Sequence, residues 1–200
     1  RRRIAPDRTA IEDAVAAIRA ARRPLVVSGR GAVGANAALI HFLDASGALY
    51  LDTQESRGLV PTDHPSVVGA VRAAAMGQTD LVITLGRKLD YQLGFGSPAV
   101  FPDARFLRIA ATPGELIDNR RGTPEILASV DMALQAITDA LGNDPGDRDN
   151  VWLSGLQAKH RERISKGAAT PAPKTGSDGK IHPMAIFEAI RECADPSYIA

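Results

Sequence analysis

Two spacings of apolar residues alternate along the chain. Ile11, Ala14, Val15, Ile18 and Ala21 recur at intervals of three and four, the period of a helix with one buried face, and Thr9 with Glu12 has the form of a capping box. A helix is therefore predicted from about Ala10 to Arg22. Pro24 stops it, and Leu25 to Ser28 form a continuous apolar run, the mark of a strand buried on both faces. A second helical stretch, Ala35 to Ala45, carries Leu39, Ile40, Phe42 and Leu43, with Gly47 placed to cap its end; Ala48 to Thr53 is the next strand. The polar run QESRGLVPTDHP, Gln54 to Pro65, reads as a surface loop.

The same grammar continues. A short helix from Val71 to Gly77 leads to a strand at Leu81 to Leu85, ending in Gly86. Arg105 to Ala110 is a fourth strand, Pro113 to Arg120 a short helix, Glu125 to Ala128 a fifth strand and Val130 to Leu141 a helix. Strands joined by helical segments of this size require a mostly parallel sheet, so the fold class is α/β, Rossmann-like, with helices on both faces and a helical extension at the C-terminal end.

After Leu141 the turn-rich GNDPGDRDN interrupts the pattern. Val151 to Lys166 reads as a charged helix anchored through Trp152, Gly167 to Lys180 as an extended or mobile stretch, and His182-Pro183 as the start of a helix with Ile186, Phe187 and Ile190 on one face. Asp195 to Ala200 reads as the opening of another strand. The expected organisation is a central domain at 1–142, a linker with a charged helix at 143–180 and the start of a further domain at 181–200, a piece of a longer polypeptide.

Composition narrows the function. With 24 Lys plus Arg against 23 Asp plus Glu in 200 residues, the formal charge of +1 supplies no summed field for nucleic acid or an anionic membrane. The cluster Arg1 to Arg3 is a solvated end. No apolar run approaches a membrane span and no signal segment is visible, so a soluble, cytoplasmic protein is expected. The lone Cys193 excludes an internal disulfide and reads as an apolar helix residue. Ser28 lacks the Gly-x-Ser-x-Gly elbow, and His41, His64, His160 and His182 have no partner at metal or triad spacing. No metal site and no catalytic residue are expected.

The candidate chemistry lies where strands end in glycine. The first strand stops at Gly29, Arg30 and Gly31 just before a helical pattern, an arrangement that leaves backbone amides bare for an anion. Two alternatives stand beside that reading: the glycines simply allow a tight turn, and Arg30 is either a phosphate clamp or a solvated side chain. Likewise Arg87, Lys88 and Asp90 after Gly86 are either ligand contacts or an ion-paired strand end.

In order and spacing, the segments RRPLVVSGRGA, LDTQESRGLVPTDHPSVVGA, TDLVITLGRKLD and FLRIAATPGELIDNR resemble the central domain of thiamine-diphosphate-dependent enzymes of the acetolactate synthase, oxalyl-CoA decarboxylase and 2-hydroxyacyl-CoA lyase type. The resemblance covers Arg22 to Leu141 and continues into IHPMAIFEAI, which is similar to the entry into that family's diphosphate-binding domain. It implies a lyase or transferase acting on 2-keto acids or 2-hydroxyacyl compounds. Thiamine diphosphate and Mg2+ would be held by the other domains of the same polypeptide, so this chain alone would be inactive. The intact enzyme would be a homodimer or homotetramer.

The resemblance further implies that the middle layer either binds FAD or ADP or serves as a structural bridge. Gly29, Arg30 and Gly31 match the glycine turn beside the dinucleotide; Thr53, Gln54 and Glu55 match its lining after the second strand; Gly69 matches a second glycine turn; Gly86, Lys88 and Asp90 match the site after the third strand. Against a nucleotide stand Ala110, Ala111 and Thr112 where the family carries Asp-Ile-Asp, and Ala128 and Ser129 where it carries Gly-Asp. The rival from another class is a free-standing FAD, ADP or NAD module; a purely structural or interaction domain is a third reading.

Overall fold

All strands of the sheet run in one direction. β1 (Pro24–Ser28), β2 (Leu49–Leu51), β3 (Leu81–Leu85), β4 (Arg105–Ala110) and β5 (Glu125–Leu127) lie in the order β2-β1-β3-β4-β5, each pair of neighbours parallel. This is a computed structural model, and it describes residues 3–118, 120–169 and 173–194. The expectations for Arg1, Arg2 and Asp195 to Ala200, and the side chain of Gln54, lie outside the described residues.

Alternation along the strands sorts the core into two layers. Val26, Ile83, Leu107 and Ile109 pack with α1 (Arg8–Ala20), α2 (Asn36–Ser46) and α4 (Val130–Leu141). Leu25, Val27, Val82 and Phe106 pack with α3 (Arg72–Gln78) and, through Trp152 and Leu156, with the first turns of α5 (Asn150–Ala169). A parallel sheet has no face to spare for water, and here both are covered. Gly47, at φ 63°, closes α2 in the left-handed conformation that its position predicts.

Several local expectations are corrected. The cap of α1 is Asp7, whose carboxylate accepts the Ala10 amide at 3.1 Å; Thr9 lies inside the helix and Glu12 pairs instead with Arg8. β2 is three residues long, because the chain turns at Thr53, whose hydroxyl donates to the Ser28 carbonyl at 2.6 Å. Pro113 to Arg120 makes only a 3-10 turn at Pro113–Glu115. In the described part of Gly167 to Lys180, α5 continues to Ala169 and Thr175 pairs antiparallel with Ile181 around a tight turn.

The chain divides into two compact units, 1–160 and 161–200. In the second, α6 (Pro183–Cys193) is capped by His182, whose ring accepts the Met184 amide at 3.2 Å. Its Ile186, Phe187 and Ile190 are exposed, and so is Cys193. Among the described residues no helix is long and apolar enough to cross a membrane.

Candidate functional site: the cleft at the carboxyl ends of β1 and β3

β1 stands between β2 and β3, so the strand order reverses there and the loops leaving β1 and β3 part in opposite directions. In open α/β sheets that is where ligands lodge. The crevice here is a cavity of about 150 Å³ lined by Gly29, Arg30, Thr53, Glu55, Gly86, Arg87, Lys88, Asp90 and Glu115. Eight of these are residues singled out in the sequence; Glu115 joins them. Gly31 lies directly behind, against Gly86, while Gly69 sits outside the cavity in the turn ahead of α3.

The glycine amides of the turn, which its sequence anticipated as bare, are bonded within the protein. The Gly29 amide donates to the Leu85 carbonyl at 3.0 Å, the Gly31 amide to the Gly86 carbonyl at 3.1 Å, and the Ala32 amide to Gly29 at 3.0 Å. The chain after β1 makes a single 3-10 turn, Arg30–Ala32, and α2 begins only at Asn36, so no long helix aims its N-terminus into the crevice. The β1 and β3 turns instead interlock. Gly86 adopts φ 52°, and a β-carbon there would stand 2.3 Å from the Gly31 α-carbon. Glycine serves close backbone approach in this place.

Four of the charged groups are paired among themselves. Arg87, nearly buried, grips Asp90 with both terminal nitrogens at 2.8 and 2.9 Å and adds Gln92 at 3.0 Å. That hydrogen bonding holds the Asp90 carboxyl below the usual carboxylate range. The remaining Arg87 Nε has no partner and is sealed from solvent. Arg30 reaches Glu55 at 3.6 Å, with both side chains exposed. Beneath the cleft, Ser28 Oγ hydrogen-bonds Tyr50 Oη at 2.6 Å and Ser56 Oγ at 2.9 Å, and burial pushes the Tyr50 hydroxyl up to about 12. Ser28 is thus a buried structural hydroxyl.

Arg108 stands within the strand run RFLRIA, and a charge inside a buried strand is itself a signal. It is fully buried and forms a two-pronged ion pair with Asp118, at 2.7 and 2.9 Å. It also donates to the carbonyls of Glu115, Leu116 and Arg120, at 2.7, 2.9 and 3.1 Å. Asp118 in turn accepts the Leu89 amide at 2.9 Å. One buried pair therefore ties together the two loops that carry Lys88, Asp90 and Glu115.

These residues do not fit FAD or ADP. Pockets that enclose ligands of that size run to about 300–1,000 Å³, and the crevice adds Glu55, Asp90 and Glu115 as carboxylates where a diphosphate would need donors. At the end of β4, Ala110, Ala111 and Thr112 offer no carboxylate to a ribose, and Ser129 is engaged with the backbone of Ile4 on both its amide and its hydroxyl. Among the described residues there is no cluster of three or more His, Cys, Asp or Glu placed to hold a metal ion.

The family model described as thiamine pyrophosphate enzyme, central domain, matches residues 11–137. The 2-hydroxyacyl-CoA lyase of Oryza sativa subsp. japonica is 30% identical over 182 residues, which is 88% of this chain and 31% of that protein. The 2-hydroxyacyl-CoA lyase 1 of Dictyostelium discoideum is 36% identical over 107 residues, 52% of this chain and 18% of that one. The chain spans about a third or less of the curated relatives it matches. Among solved structures, benzoylformate decarboxylase from Polynucleobacter necessarius superimposes with a TM-score of 0.70 at 17% identity, over 97% of this chain and 35% of that one, a likeness of fold.

Proposed function

The chain belongs to the thiamine pyrophosphate enzyme central-domain family, and from that premise we propose that it is the spacer layer of a thiamine-diphosphate-dependent lyase or transferase acting on 2-keto acids or 2-hydroxyacyl compounds. One observation carries the structural role. In the crevice where an open α/β sheet would hold its ligand, the glycine amides and Arg87 are already engaged by the protein's own carbonyls and Asp90. What remains is a parallel sheet with two covered faces.

Thiamine diphosphate with Mg2+, held by other domains of the polypeptide, supplies the electron sink for carbon–carbon cleavage when bound. This chain supplies the frame. Residues 1–142 form the central domain, 143–180 the connection and 181–200 the opening of the diphosphate-binding domain, whose apolar stripe Ile186, Phe187 and Ile190 awaits the rest of its core. The whole enzyme is a cytoplasmic homodimer or homotetramer. A free-standing FAD, ADP or NAD module needs open amides and a larger pocket than this crevice provides.

The coding sequence on either side tests the assignment. A domain bearing the glutamate that activates the pyrimidine is expected upstream, and a Gly-Asp-Gly motif with its asparagine downstream. A reading frame that encodes neither overturns it.

A further inference from the structure

We propose that the Glu115 carboxylate is the resident anion of the cleft between β1 and β3: it occupies the place that a ligand phosphate would need against the Gly31–Gly86 contact, and so keeps nucleotides out. Glu115 Oε2 lies 3.2 Å from the point that a β-carbon on Gly31 would reach, on the same side as the Gly86 backbone. Its side chain shares the crevice with Arg30 and Lys88.

Its position is built in. The Glu115 amide donates to Thr112 at 3.1 Å, and its carbonyl receives Arg108 at 2.7 Å. The next carbonyl, of Leu116, receives the same guanidinium at 2.9 Å, and Arg108 is itself locked by Asp118. The backbone on both sides of Glu115 is therefore pinned to a fully buried arginine, and that backbone sends the side chain toward the glycine turn. Near Arg30 and Lys88 a carboxylate is favourable; a diphosphate arriving in the same space would meet Glu55, Asp90 and Glu115 together. The inference concerns this chain's own residues and stands or falls separately from the assignment to a lyase or transferase.

Calorimetry and thermal melting of the 200-residue chain, with ADP, FAD and inorganic phosphate as probes, test it. The native chain is expected to show no saturable binding of ADP or FAD up to about 1 mM, whereas Glu115→Ala gains saturable binding of inorganic phosphate at least about tenfold tighter than native, with a rise in Tm on adding phosphate. Glu115→Gln, which keeps the volume and removes the charge, is expected to gain the same binding and remains readable if the truncation loosens the loop. Micromolar binding of ADP or FAD by the native chain overturns the inference. So does phosphate affinity in Glu115→Gln no different from native.

Discussion

Arg108 in β4 and Asp118 in the loop beyond it meet edge to edge, two guanidinium nitrogens on two carboxylate oxygens at 2.7 and 2.9 Å, with Arg108 wholly out of water. The pair lies under the site and acts through it. Asp118 also holds the Leu89 amide, and Arg108 holds three carbonyls of the 115–120 segment. The geometry of both loops over the cleft thus depends on one buried ion pair.

Removing one partner strands the other. Asp118→Ala is expected to cost about 3–5 kcal/mol, because a buried guanidinium is left without its counter-ion, while exchanging both residues for apolar ones of similar size costs far less. Urea unfolding of the two single variants and the double variant measures this. Additive losses would show that the pair is not coupled.

Gly86→Ala places a β-carbon 2.3 Å from the Gly31 α-carbon at a residue with φ 52°. Backbone cannot yield as a side-chain tip can, so a loss of about 3 kcal/mol or more is expected in the same denaturation experiment. Gly69→Ala, whose β-carbon meets nothing within 4 Å, serves as the near-neutral control.

Tyr50 predicts an alkaline limb of stability. Its hydroxyl titrates at 10.0 in the open chain and at about 12 in the folded one, chiefly because burial opposes the phenolate. The folded value is the higher, so below pH 10 the contribution is fully present, and it is lost as pH rises from 10 through 12. Stability measured against pH should fall over that window, and Tyr50→Phe should flatten the fall. A variant as pH-sensitive as the native chain would contradict the assignment.

Much of this was legible beforehand for a physical reason: the strands are buried on both faces, and continuous apolar runs such as LVITL admit few other readings. β3, β4 and α4 lie where the pattern puts them. The turn at 113–120 was not legible, because a helix there would need the carbonyls of Glu115 and Leu116 that Arg108 takes from β4. The glycine turn misled in the same way. Its spacing is that of a phosphate cradle, yet whether amides stay open depends on what faces them, and here the carbonyls of Leu85 and Gly86 do. Asp7 and Thr9 both have cap chemistry, and only the approach of the Ala10 amide chose between them.

The central claim is that this chain is a frame, with the reactive machinery in other parts of its polypeptide. Incubating a 2-hydroxyacyl-CoA with thiamine diphosphate and Mg2+, and following carbon–carbon cleavage by mass spectrometry, tests it directly on the 200-residue chain and on the polypeptide of the complete reading frame. Products from the complete polypeptide and none from the chain alone are predicted. Turnover by the isolated chain would contradict it.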